Sequence, residues 1–138
     1  MDKLFLLEIV TPHGLAVSSK VEEAYIPGSQ GDFGVLPGHA PFLTSLRIGE
    51  LHYRQENEVH YISINHGFAE VTPEKTTILT DTAELAGEID VERAQTAKTR
   101  AEEKLKTLSK EEPAYLQEME ALERARMRIR VSGKAPRE

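Results

Sequence analysis

The sequence predicts a mainly β N-terminal domain, a sandwich or flattened barrel, followed by a C-terminal antiparallel two-helix hairpin. Three observations carry this. Residues 1–87 break into short β-prone runs separated by Gly- and Pro-containing turns. Beyond residue 87 the apolar spacing changes to a helical period. Composition switches at the same place: residues 1–87 hold 5 basic and 12 acidic residues, whereas residues 88–130 hold 10 of each, a single Pro and no Gly. The chain is therefore divided at 87/88, with 1–87 as the β domain and 88–138 as the hairpin and a short tail.

The strands are placed in order. Residues 3–10 (KLFLLEIV) are β-rich and stop at Thr11-Pro12-His13-Gly14. Residues 20–26 end at Pro27-Gly28, and residues 42–48 end at Gly49. Residues 50–54 and 58–64 read as a hairpin joined by Gln55-Glu56-Asn57, and residues 68–72 and 76–80 as another around Pro73-Glu74-Lys75. Strands this close together, with no crossover helix between them, favour antiparallel pairing over a βαβ sheet.

The helices follow from their stripes. Ala94, Ala97, Ala101, Leu105 and Leu108 recur at three and four residues, as do Leu116, Met119, Leu122, Ala125 and Ile129. Asp90 is an N-cap for the first helix. Between the stripes, either Ser109 caps with Glu112 at the third position, or Glu112 caps with Pro113 at the first. The first stripe is mostly alanine and buries little area, so the hairpin should lean on the β domain, a partner or a ligand.

Composition also excludes functions. The chain has 138 residues, a formal net charge of -6 and no cysteine. That removes disulfide scaffolds, thiolate nucleophiles and Cys-ligated metal centres, and argues against a general nucleic-acid binder. No apolar run is long enough to span a membrane as a helix. No signal or transit segment is evident at the start, so the expected compartment is the cytoplasm.

No catalytic constellation emerges. Gly28, Gly31 and Gly34 are spaced unlike a dinucleotide loop and read as a glycine-rich surface loop with positive φ. Of the five histidines, His52 and His60 are expected to face each other across the hairpin 50–64, a poor metal site. His66 belongs to a turn. His39 sits in the rigid segment Pro37-Gly38-His39-Ala40-Pro41, where its ring either bonds to a backbone carbonyl or serves recognition. No nucleophile, base and acid set and no metal site are assigned.

Arginines stand out. Arg124, Arg126, Arg128 and Arg130 alternate with apolar residues on the second helix. Arg124 and Arg128 share one face, and Arg126 and Arg130 lie about 160° away. They either complement the helix dipole in solvent or meet an anionic partner. Arg93 and Arg100 share a face of the first helix. In an antiparallel hairpin Arg93 approaches Arg124 and Arg128, and such a cluster repels itself unless an anion fills it.

The segment from Ile26 to Thr44 carries a specific pattern, Gly31-Asp32-Phe33-Gly34-Val35-Leu36-Pro37-Gly38-His39-Ala40-Pro41-Phe42. With Ile9-Val10-Thr11-Pro12, Gly67-Phe68-Ala69-Glu70-Val71 and Thr77–Glu84, it resembles the epsilon-subunit family of bacterial F-type ATP synthases over essentially the whole chain. The resemblance implies a β-sandwich plus helical hairpin, and a non-catalytic central-stalk subunit. Such subunits bind gamma, rest on the ring of c subunits and turn with the rotor at the cytoplasmic face of the cell membrane, which they touch only through the complex. It places Gly31, Asp32 and His39 in the ring-facing loop. It also implies that the hairpin hinders ATP hydrolysis when extended, with Arg124, Arg126, Arg128 and Arg130 meeting an acidic segment of a beta subunit. Ile89-Asp90-Val91-Glu92-Arg93-Ala94 matches the family's nucleotide motif. Glu84, Asp90, Arg93, Arg100, Arg124 and Arg128 thereby become candidates for a regulatory ATP, with no cofactor required. Gln30 and Asn65-His66 depart from the family pattern. A freestanding nucleotide-sensing module is the alternative, and an apolar patch on the β domain would favour the rotor subunit over it.

Overall fold

The computed structural model describes residues 3–135. Ten strands come first: β1 (Phe5–Thr11), β2 (Gly14–Val21), β3 (Glu23–Gly28), β4 (Gly31–Val35), β5 (Phe42–Leu46), β6 (Gly49–Gln55), β7 (Glu58–Ile64), β8 (Gly67–Val71), β9 (Lys75–Thr80) and β10 (Ala83–Leu85). A 3-10 turn (Ala86–Glu88) leads into α1 (Val91–Thr107) and α2 (Pro113–Ser132).

The strands form one sheet in the order β10-β7-β6-β3-β5-β8-β9-β1-β2, with β4 pairing the other side of β3. The sheet turns a corner where β3 and β5 meet only through Gly28 and Leu46. Folded there, it becomes two layers around one core. Phe5, Leu7 and Ile9 of β1, Ile78 of β9 and Val71 of β8 face Ile26 of β3, Leu51 of β6 and Ile62 and Ile64 of β7, all almost fully buried. The alternation in β1 explains its side: these three point in, and Leu6, Glu8 and Val10 are only partly covered.

Several expectations are corrected. The run 20–26 is not one strand, because the chain leaves β2 at Val21 and enters β3 at Glu23. The glycine-rich stretch 28–34 is largely sheet: β4 pairs β3 from Ala24↔Val35 to Gly28↔Gly31. Gly31 does adopt a positive φ of 131°. Gly28 instead serves close approach, since a Cβ there would lie 2.7 Å from the Gly31 carbonyl oxygen. The sheet is not wholly antiparallel, because β1 runs parallel to β9, with Ile9 opposite Ile78. Their connection is the whole run of β2 to β8 rather than a crossover helix. The first hairpin turns in two residues, Glu56 and Asn57, both with positive φ, so Gln55 pairs Glu58. That sets His52 opposite Tyr61 and His60 opposite Tyr53, and the two histidines do not face each other.

The helices begin where the sequence places them. The Asp90 carboxylate accepts the Arg93 backbone N–H at 3.1 Å. Glu112 is the N-cap of α2 with Pro113 at its start, and its carboxylate accepts the Ser109 N–H at 3.3 Å. Ala94 and Ala101 of α1 and Leu122 and Ala125 of α2 are buried. Leu116 and Met119, expected on the same stripe, are exposed because they lie near the hairpin's turn. The hairpin rests on the sandwich mainly through α2, where Val131 is fully buried beside Ala86, Ile89 and Tyr61.

Gly67 is the tightest backbone approach in the sheet. Its φ is 132°, and a Cβ there would lie 1.8 Å from the Leu79 carbonyl oxygen. Gly67→Ala should cost about 3 kcal/mol or more, from strain and displaced pairing between β8 and β9. A urea unfolding curve measures the loss.

Candidate functional site

A cleft between sandwich and hairpin has a volume of about 550 Å³. Several structural regions meet there. Arg93 and Ala97 come from α1, and Arg124 and Arg128 from α2. Ser63 and Asn65 come from β7 and its end, Thr82 and Glu84 from β10 and the residues before it, and His13 from the turn between β1 and β2. Alanines at 97, 121 and 125 form the wall where the helices face each other and leave it open.

Charge in the cleft is only partly balanced. Arg128 grips Glu84 with two contacts, Nε to Oε1 at 2.6 Å and Nη2 to Oε2 at 3.1 Å. Both side chains are largely covered, so this ion pair, with its one hydrogen bond from Nη2, is more than a surface contact. Among the described residues, Arg93 and Arg124 form no ion pair. The Asn65 side-chain oxygen is buried in the wall without a hydrogen-bond partner. The cleft thus offers an anion two uncompensated guanidinium groups, at a volume within the usual range for small-molecule pockets.

The six residues expected to hold ATP are not gathered equally. Glu84, Arg93, Arg124 and Arg128 line the cleft. Asp90 is engaged as the cap of α1. Arg100 lines a separate open groove with Glu92, Gln95, Thr96 and Thr99. Seven residues bring it back to the Arg93 face, but about 10 Å further along the helix toward the hairpin turn. No local pattern marks His13 and Asn65 for the site, because only the sheet topology brings their loops to the helices.

The other candidates lie elsewhere. Gly31 and Asp32 are exposed on β4, with Asp32 ion-paired to Arg47. His39 follows in a segment tied down by the Gly38 N–H to the Pro73 carbonyl at 2.8 Å, and its own Nδ1 lies 2.6 Å from the Ala40 carbonyl oxygen. Leu36, Phe42 and Leu43 are exposed beside it. Arg126 points to solvent, and Arg130 lines a small second cleft with Asp32, Glu50 and His52. The two arginine pairs of α2 therefore serve different surfaces.

The outer face of the other layer carries an apolar row. Phe68 of β8 pairs Leu79 of β9, which pairs Val10 of β1, which pairs Leu15 of β2. Phe68, Leu79 and Leu15 are each more than half exposed. A contiguous row of this kind on a sheet face marks a contact surface.

Residues 4–86 match the family described as ATP synthase, Delta/Epsilon chain, beta-sandwich domain, and residues 88–133 match its long alpha-helix domain. The chain is 50% identical over 137 residues to the ATP synthase epsilon chain of Geobacter sp. strain M21, covering 99% of both. It is 48% identical over 137 residues to that of Geotalea daltonii, again covering 99% of both. Among solved structures, it is similar to a chain of the Euglena gracilis mitochondrial ATP synthase (OSCP/F1/c-ring), with a TM-score of 0.74 and 28% identity over 87% of this chain and 76% of that one. A chain of the Tetrahymena thermophila enzyme's central stalk and c-ring shares the fold at a TM-score of 0.54 and 12% identity, covering 97% of this chain and 98% of that one.

Asp90→Ala should remove about 1 kcal/mol from the start of α1. Amide exchange should quicken at residues 92–95, while the sandwich amides stay unchanged.

Proposed function

The chain belongs to the ATP synthase Delta/Epsilon chain family, and from that premise we propose how its two parts divide the work of a non-catalytic central-stalk subunit. The observation that carries the reading is the apolar row Leu15–Val10–Leu79–Phe68. It gives the sandwich a face suited to the gamma subunit, and a freestanding nucleotide sensor has no use for one. The segment from Gly31 to Pro41, with Asp32 and His39, is the natural contact with the ring of c subunits at the membrane surface. Its β3–β4 pairing and its tie to Pro73 make it stiff. A stiff contact passes torque on, whereas a yielding one stores it.

The hairpin is the regulatory part. Extended from the sandwich, it exposes Arg124, Arg126, Arg128 and Arg130 to an acidic segment of a beta subunit, and hydrolysis falls. Individual exposed pairs contribute little, so the arginines act together and steer docking. Folded as seen here, α2 keeps Arg128 on Glu84 and the hairpin is withheld from the catalytic head.

ATP fits the cleft through its phosphates. Arg93 and Arg124 supply the free positive charge, and Arg128 and Glu84 join the helix to β10. The ligand would supply negative charge that relieves repulsion between the arginines, and no chemistry on it is required. Since it binds only the folded hairpin, it favours that form by mass action. Arg100 lies further along α1 in a neighbouring groove, and Asp90 caps that helix.

Purified protein titrated into a catalytic head lacking this subunit should depress ATP hydrolysis to a plateau near one copy per head. High ATP or truncation after Gly87 should weaken the effect. No inhibition despite stable association through gamma would leave the hairpin without its inhibitory role. Arg93→Ala with Arg124→Ala should weaken ATP binding by at least about tenfold in calorimetry, because both uncompensated cations are lost.

A further inference from the structure

The end of α2 carries a fastening that lies outside the nucleotide cleft. Across β3, β6 and β7, Tyr25, His52 and Tyr61 stand side by side on one face of the sheet. Their rings stack or tilt at 4.8 Å between the first two and 5.4 Å between the second two. Lys134, just beyond the last turn of α2, closes this row. Its ammonium lies 4.8 Å from the Tyr61 ring centroid and pairs with the Glu50 carboxylate. The Glu50 side chain is only 15% exposed, and its other oxygen lies 3.6 Å from His52 Nδ1. Beneath the same turn, Val131 fills a fully buried seat against Ala86, Ile89 and Tyr61.

We propose that Val131 and Lys134 form a nucleotide-independent latch, with Glu50 and Tyr61 as its keeper, that holds the hairpin on the sandwich. The placement gives it leverage. The hairpin meets the sandwich at the end away from its turn, where it is held covalently through Ala86–Asp90, by Arg128 on Glu84 at the cleft, and by the end of α2. A cation pairing with a largely covered carboxylate and an aromatic face combines charge pairing with a cation–π contact. A helix that loses this end is retained only by its contacts on the cleft side and by the chain itself. The latch sets how often the hairpin opens when no nucleotide is bound, and so sets the baseline on which any ligand acts.

The test is amide exchange over α2 in the full chain without nucleotide, comparing wild type with Lys134→Met, Glu50→Gln and the double exchange Glu50→Lys with Lys134→Glu. Lys134→Met keeps most of the apolar stem and removes the charge. Each single change should speed exchange of residues 122–131 by about fivefold, as expected for losing a partly covered pair and its ring contact. Sandwich amides should not change, which separates release of the hairpin from general unfolding. The double exchange should restore part of the protection. Unchanged exchange in both single variants, or a double variant no better protected than either, would overturn the proposal.

Discussion

Two helices whose facing residues are mostly alanine bury too little surface to hold each other, so this hairpin must rest on something else. In the structure it rests on the sandwich, and most of what is distinctive follows from how. Small side chains at 94, 97, 101, 121 and 125 bring the helices close and leave the wall of the cleft open. The contacts that larger residues would have made between helices are instead made by the end of α2 with β6, β7 and the 3-10 turn. A hairpin attached in this way folds down on the sandwich through a small set of contacts concentrated at one end of α2.

Electrostatics divides the surface of α2. A residue step of 100° sends Arg124 and Arg128 into the cleft, leaves Arg126 in solvent, and turns Arg130 toward Asp32 and Glu50. One carboxylate, Glu84, balances one of the three cleft arginines. The remaining repulsion is small while the cleft is open to water, because solvent screens it, and grows as the helices close. An anion is therefore most effective in the folded form, where screening is weakest.

Much of this was legible before folding. The alternation in Phe5, Leu7 and Ile9, the presence of hairpin turns around residues 55–57 and 73–75, the cap at Asp90 and Pro113 at the start of α2 are local signals, and local physics decides them. The failures are of two kinds. Reading a three-residue turn where the chain uses two shifted the β6–β7 register by one, which placed His60 opposite His52 instead of Tyr53. Elsewhere the missing information was long-range. Strand β4 is hidden in a glycine-rich stretch because its pairing to β3, not its own side chains, makes it a strand. Of the cleft residues, Arg93, Arg124 and Arg128 could be named from helical spacing, and Glu84 from the family resemblance. His13 and Asn65 could not, since only the completed sheet carries their loops to the helices. Arg100 shows the converse limit, because sharing a helical face does not place a residue at the same height.

The parallel pairing of β1 with β9 bears on how the molecule comes into being. Strand β1 finds β2 at once, but its other edge waits for residues 75–79, some seventy positions later. Such a contact closes a long loop and is slow relative to hairpin formation. During synthesis that edge of β1 has no partner until residues 75–79 are available, and the helices lie later still in the chain. The hairpin is thus the last part to be made, after every strand of the sandwich that receives it.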